Sequence, residues 1–153
     1  MPPLQGAPIT FAFVDGLAVR GVKMDAAAYL RERRVVLERR LRGRELQRVT
    51  VHELFHFVWW RLGNPARLSW EALVAGERSR GEAGWSAEWR KGALSAADRH
   101  NRTRRWREYV CEAFCDSAAA IFASAAQNTL ASRFLARRRE WFVATLGGRP
   151  LSI

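Results

Sequence analysis

Two of the chain's three histidines, His52 and His56, stand four residues apart in "VTVHELFHFVWW", with Glu53 between them. On an α-helix, residues i and i+4 differ by about 40° of rotation and about 6 Å of rise, so both imidazoles leave the same face. One ion can then take a nitrogen from each. Glu53 lies about 100° round from His52 and about 60° from His56, close enough to reach a water on that ion without displacing a histidine. This H-E-x-x-H spacing carries metal-assisted hydrolysis. Two imidazoles hold Zn²⁺, a third protein ligand completes the site, and the open fourth position takes water. The metal lowers the pKa of that water and the carboxylate accepts its proton.

The surroundings sharpen the reading. Val49, Thr50, Val51, Leu54, Phe55, Phe57 and Val58 are uncharged, which predicts a helix buried nearly all round from 49 to 60. Imidazoles and a carboxylate buried there need partners. Either a metal satisfies them, or they are hydrogen-bonded core histidines with a salt-bridged Glu53. For a third ligand, "EYVCEAFCD" offers Glu112 with Asp116 one turn on, sharing a helix face. Asp116 is suited to accept the Nδ1–H of a ligating histidine and fix its tautomer. Trp106, Val110, Phe114 and Ile121 cluster on the opposite, apolar side, and Ala119, nearly in line with Glu112, leaves room for a metal or substrate. His100, Glu108 and Cys115 are rivals for the third position. The simplest reading of Cys111 and Cys115 is as small buried hydrophobes.

"VTVHELFHFV" followed by "EAFCD" resembles the gluzincin metallopeptidases, thermolysin-like zincins that carry H-E-x-x-H and then E-x-x-x-D. The resemblance covers residues 45–62 and 105–120. It implies zinc ligation by His52, His56 and Glu112, Glu53 as general base, and Asp116 as the partner of a ligating histidine. In size the chain is closer to minimal intracellular zincins, such as the ImmA/IrrE-like and SprT-like groups, than to thermolysin. The resemblance also implies a cleft edge, formed by a strand among Ile9–Val22 or Val35–Leu37, that receives extended peptide by strand addition. The second oxyanion-stabilising His and Tyr of thermolysin have no match here. Tyr109, Tyr29 and His100 are the available side chains, and no spacing singles one out.

The elements that must position these residues read as strands first, then helices. Ile9–Val14 and Leu17–Val22 read as a hairpin around Asp15-Gly16. "DAAAYLRERR" reads as a short helix and Val35–Leu37 as a strand. A long helix is expected from Glu45 to Leu62, stopped by Gly63 and Pro65. A short helix capped by Ser69 comes next, and then a Gly- and Trp-punctuated loop or lid, "GEAGWSAEWRKGALS". Ser95 and Asp98 form a capping-box-like start. Strong helices are expected over Arg102–Gln127 and over "LASRFLARRREWFVATL". This order predicts one α+β domain over residues 1–153, a minimal zincin-like domain. A small N-terminal sheet would pack on the histidine helix, beside the Glu112 helix and a C-terminal helix.

Composition bounds the partners. The 153 residues carry a net charge of +11, and 24 of the 26 basic residues are Arg. Residues 31–48 hold eight Arg against three Glu, 99–107 hold five more, and 133–139 hold four. Such runs read as solvated faces or as a stripe meeting nucleic acid or an acidic protein. Trp70, Trp85 and Trp89 would line a groove or anchor a loop on the core. Two cysteines in one helical segment make no disulfide framework. No signal peptide or membrane span is read, so a cytoplasmic protein is expected. The functional expectation is a zinc-dependent peptidase acting on peptide or protein. The alternative is a zinc-stabilised binding module without turnover, attached to nucleic acid or an acidic partner through its arginines.

Overall fold

A computed structural model describes residues 1–19, 21–123 and 128–153. The fold is mixed α+β. Its strands are β1 (Leu4–Gln5), β2 (Thr10–Val14), β3 (Ala18–Val19), β4 (Val22–Lys23), β5 (Ala26–Tyr29), β6 (Arg34–Glu38) and β7 (Leu151–Ser152). Six helices, α1 (Gly43–Arg61), α2 (Asn64–Ala75), α3 (Trp85–Gly92), α4 (Ala96–His100), α5 (Arg104–Phe122) and α6 (Ser132–Leu146), lie between β6 and β7.

The main sheet has the order β2-β6-β5, with β6 parallel to β2 and antiparallel to β5. Val35 and Leu37 of β6 are fully buried and pack with Ala26, Val49 and Phe57, which joins the sheet to α1. Two expectations fail here. Asp15-Gly16 does turn the chain, with Gly16 at φ 69, but β2 does not pair with the next strand. The Glu38 carboxylate accepts the Gly16 and Leu17 amides at 3.0 and 2.6 Å. This redirects the chain into a separate β3–β4 hairpin and leaves β2 to the distant β6. Arg20, inside the expected second strand, lies outside the described residues. The stretch expected as a short helix, around Ala26–Tyr29, is β5. Its alanines have strong helix propensity, but they pair with β6 and their small side chains let α1 lie close against the sheet. Tertiary pairing has overridden local preference.

The helical expectations hold better. α1 ends where Gly63 and Pro65 stop it, but Pro65 also opens α2 at once. Ser69 therefore sits inside α2 rather than capping it, and its hydroxyl accepts the Trp141 indole N–H at 3.0 Å. The Ser95–Asp98 capping box is present. α5 starts at Arg104, and residues 124–127 of its expected end lie outside the described residues. The 85–92 stretch, expected as loop or lid, is the helix α3. The tryptophans divide: Trp70 is buried in the main core, whereas Trp85 and Trp89 are exposed. That core joins Phe55 and Val58 of α1 to Trp70, Trp106, Val110, Phe114 and Phe142.

One arginine is fully buried among the described residues, and others pair on the surface. Arg138 of α6 is fully buried: it donates to both Glu77 carboxylate oxygens at 3.0 and 2.6 Å and to Glu82 at 2.8 Å. Glu82 also accepts from Lys91 at 2.7 Å and from the Tyr109 hydroxyl at 2.5 Å. Arg102 pairs with Glu71, and Arg67 caps the end of α1 through the Trp59 and Trp60 carbonyls. No described helix is long and apolar enough to cross a membrane.

Candidate metal centre

The centre is built from α1 and α5, with α3 against its flank. Phe55, Phe57 and Val58 bury α1. Phe114 and Val110 bury the apolar side of α5. Phe55 and Trp59 of α1 pack on Phe114 of α5, and the polar residues face one another beside that contact. His52 meets Asp116, and the later His56 meets the earlier Cys111, so the helices run in opposite directions.

His52 Nε2 stands 3.2 Å from His56 Nε2 and 3.2 Å from Glu112 Oε2. Its other nitrogen, Nδ1, is 2.8 Å from Asp116 Oδ1. Two nitrogens bound at about 2.0–2.1 Å to one tetrahedral zinc lie about 3.3 Å apart, so this imidazole pair fits a shared ion. Glu112 Oε2 is buried and has no hydrogen-bond donor among the described residues. His52 approaches it at ion-pair distance but outside hydrogen-bond geometry, an arrangement that suits a metal-ligand oxygen. Glu53 is buried on the same helix, and its charge acts on both histidines.

The electrostatics favour a cation. Burial alone would push the His52 imidazole down, but the Asp116 and Glu112 carboxylates outweigh it and hold it well above the usual histidine value. Burial also opposes the charged form of His56, yet the neighbouring Cys111 sulfur and Glu53 raise it to about 9. Burial would raise Glu112, but His52, His56 and Arg90 bring it down to about 2. A metal ion placed here would compete with protons for the same nitrogens.

α3 holds the carboxylates in place. Its first turn has no cap from its own N-cap residue, Gly84. Asp116 reaches across from α5 instead, and the Ala87 amide donates to its Oδ2 at 2.8 Å. The carboxylate thus caps α3 with one oxygen and orients His52 with the other. A Cβ at Gly84 would overlap that carboxylate, so this close approach requires glycine. Further along α3, Arg90 Nη2 lies 3.2 Å from Glu112 Oε1.

Thus His56 and Glu112 each lie beside His52 Nε2 and Asp116 beside its Nδ1, but the group whose ligand-capable atoms all lie close to one another is His52, His56 and Cys115, without Glu112. The structure separates two rivals for the third position. His100 is exposed on α4, and Glu108 pairs with Arg104 at 2.7 Å on the surface. Cys115 does join the cluster: ligand-capable atoms of His52, His56 and Cys115 all lie within 4.8 Å of one another. Its sulfur is 3.4 Å from His56 Nδ1, and Cys111 is 3.6 Å from the same nitrogen. Cys115 is buried and Cys111 partly so, and both sulfurs face His56 Nδ1.

None of the three side chains considered for oxyanion stabilisation serves. Tyr109 is committed to Glu82, Tyr29 lies under Arg34 in the sheet, and His100 is exposed. Arg90, Gly84 and the Ala87 amide escape sequence reasoning. Only the Gly in "GEAGW" carries a usable signal, as a place where another part of the chain could approach closely. Of the two stretches offered as a cleft edge, Ile9–Val22 contains the edge strand β2, and only Val35–Leu37 is ruled out. Val35–Leu37 is the central strand, so the free edges are β2 and β5, and β5 is the edge packed beside α1. No family model, curated protein or solved structure matches this chain.

Proposed function

We propose that this chain is a zinc-dependent peptidase of minimal zincin-like architecture. The observation that carries the reading is that His56 Nε2 and Glu112 Oε2 each stand 3.2 Å from His52 Nε2, between two buried helices. Zinc held there would polarise a peptide carbonyl and acidify a bound water. Glu53, buried one residue from His52, would accept that water's proton and return it to the leaving amine. Asp116 fixes the tautomer of His52, and Arg90 holds the oxygen of Glu112 that is turned away from His52. The free edge of β5, beside α1, is suited to receive an extended peptide through main-chain hydrogen bonds.

Elemental analysis of the purified, untagged protein tests the metal. Cleavage of a peptide library by wild type and Glu53→Gln tests the chemistry. Stoichiometric zinc with cleavage lost in the variant is the expected result. Full zinc with no cleavage of any peptide removes the enzyme and leaves the binding; no zinc removes both.

A second reading is favoured by the position of Cys115. If its sulfur takes the fourth place on zinc, the site is closed and structural. The chain is then a binding module whose exposed arginines meet nucleic acid or an acidic protein. DNA affinity that falls steeply with salt, in a protein destabilised by chelator, would support that reading.

A further inference from the structure

Resting on the proposed metal centre, we infer that Cys111 and Cys115 are positioning residues for His56, the counterpart of Asp116 for His52. The ring of His56 is addressed from two sides. Its Nε2 faces His52 Nε2 at 3.2 Å, the nitrogen that also stands 3.2 Å from Glu112 Oε2. Its Nδ1 faces two sulfurs, Cys115 Sγ at 3.4 Å and Cys111 Sγ at 3.6 Å. One imidazole does not give both nitrogens to a single ion. With Nε2 on the metal, the neutral ring carries its proton on Nδ1, which donates to sulfur.

The i, i+4 spacing of the cysteines puts both on one face of α5, one turn apart, so they bracket the ring. The same face carries Glu112 and Asp116. α5 therefore supplies the third ligand and both outer partners, while α1 supplies the two imidazoles. The partners differ in kind. Asp116 is a charged acceptor that is itself fixed by the Ala87 amide. The thiols are weak acceptors that hold the ring mainly by shape. This role also accounts for the closeness of Cys115 to both histidines without placing sulfur on the metal.

Three measurements test it. In the cobalt-substituted wild type, absorption should show the visible d–d bands of a bound ion without an intense near-ultraviolet thiolate-to-cobalt band. Such a band, lost in Cys115→Ser, would put sulfur on the metal and overturn the inference. Long-range ¹H–¹⁵N NMR of the zinc-loaded wild type should show His56 bound through Nε2 and protonated at Nδ1; the reverse would also overturn it. Zinc affinity, measured by chelator competition, should weaken about tenfold or more in the Cys111→Ala/Cys115→Ala double variant. The corresponding double serine variant should recover most of that loss. Equal affinity in the alanine variant and wild type, or equal loss in both variants, removes the positioning role while leaving the centre intact. A wild type that binds neither zinc nor cobalt removes the centre itself.

Discussion

Two clusters of charge are buried against α5, and they are finished in different ways. Around Arg138 the protein closes its own circuit. Arg138 and Lys91 meet Glu77 and Glu82, two cations against two carboxylates, and Ser117 and Tyr109 take up further hydrogen bonds. Around His52 it does not. Glu53, Glu112 and Asp116 gather there with Arg90 paired to Glu112 alone. The histidines respond by holding protons tightly. Burying ions costs several kcal/mol each unless they are matched. A cluster balanced by permanent charges is therefore a fastening, and one that depends on protonated histidines for its balance is where the proposed cation would sit. The two are joined: the chain from Glu82 to Ala87 leaves the Arg138 cluster and delivers Gly84 and the Ala87 amide to Asp116.

The strongest test of the contrast is to unbalance the closed cluster. Arg138→Met leaves Glu77 and Glu82 without their main partner. The expected loss is about 3–5 kcal/mol of unfolding free energy, measured by urea denaturation with and without zinc. A loss below about 1 kcal/mol would mean the cluster is no fastening.

The open cluster should respond to metal instead. Zinc in about thousandfold excess over its dissociation constant should stabilise the wild type by about 4 kcal/mol. His56→Ala should abolish that gain while unfolding normally without zinc. Differential scanning calorimetry with and without chelator reads both.

From about pH 6.5 to about 9 the titration belongs to the open cluster. Both histidines must shed protons to bind zinc, and His56 holds its proton up to about pH 9. Apparent zinc affinity should therefore rise with pH toward about 9, by about tenfold per unit for each proton displaced. Without metal the sign reverses: the raised histidine pKa values stabilise the folded chain at low pH, and that contribution fades as pH climbs from about 6.5 through about 9. Chelator competition and denaturation at several pH values separate the two trends.

The link between the clusters is tested by Gly84→Ala. Its Cβ displaces Asp116, and zinc affinity should fall about tenfold with the fold retained, as judged by circular dichroism. Ser95→Ala, in the α4 capping box away from both clusters, gives the smallest effect. It should cost about 1 kcal/mol and leave zinc affinity unchanged.

How much of this is legible in the amino-acid order depends on the range of the interaction. The spacing of His52, Glu53 and His56, and that of Glu112 and Asp116, are helix-local, and both helices form where the apolar pattern places them. β5 reads as helix because the preference of three alanines is local, whereas their pairing with β6 is not. α3 reads as loop because its start is capped by a carboxylate 29 residues away, so no capping residue marks it in its own sequence. Arg138 sits in a run indistinguishable from solvated arginines until Glu77 and Glu82 close round it.

Helical backbone geometry alone sets which side chains share a face, so that much is written in the order of the residues. Two imidazoles point together, and a carboxylate and its neighbour one turn on do the same, whatever the rest of the chain does. Which faces meet is settled by packing. Packing set His52 against Glu112 and Asp116, put two thiols behind His56, and brought α3 up to hold the carboxylates. Those contacts join residues far apart in the chain, and their energies depend on burial and charge balance that exist only once the helices have come together.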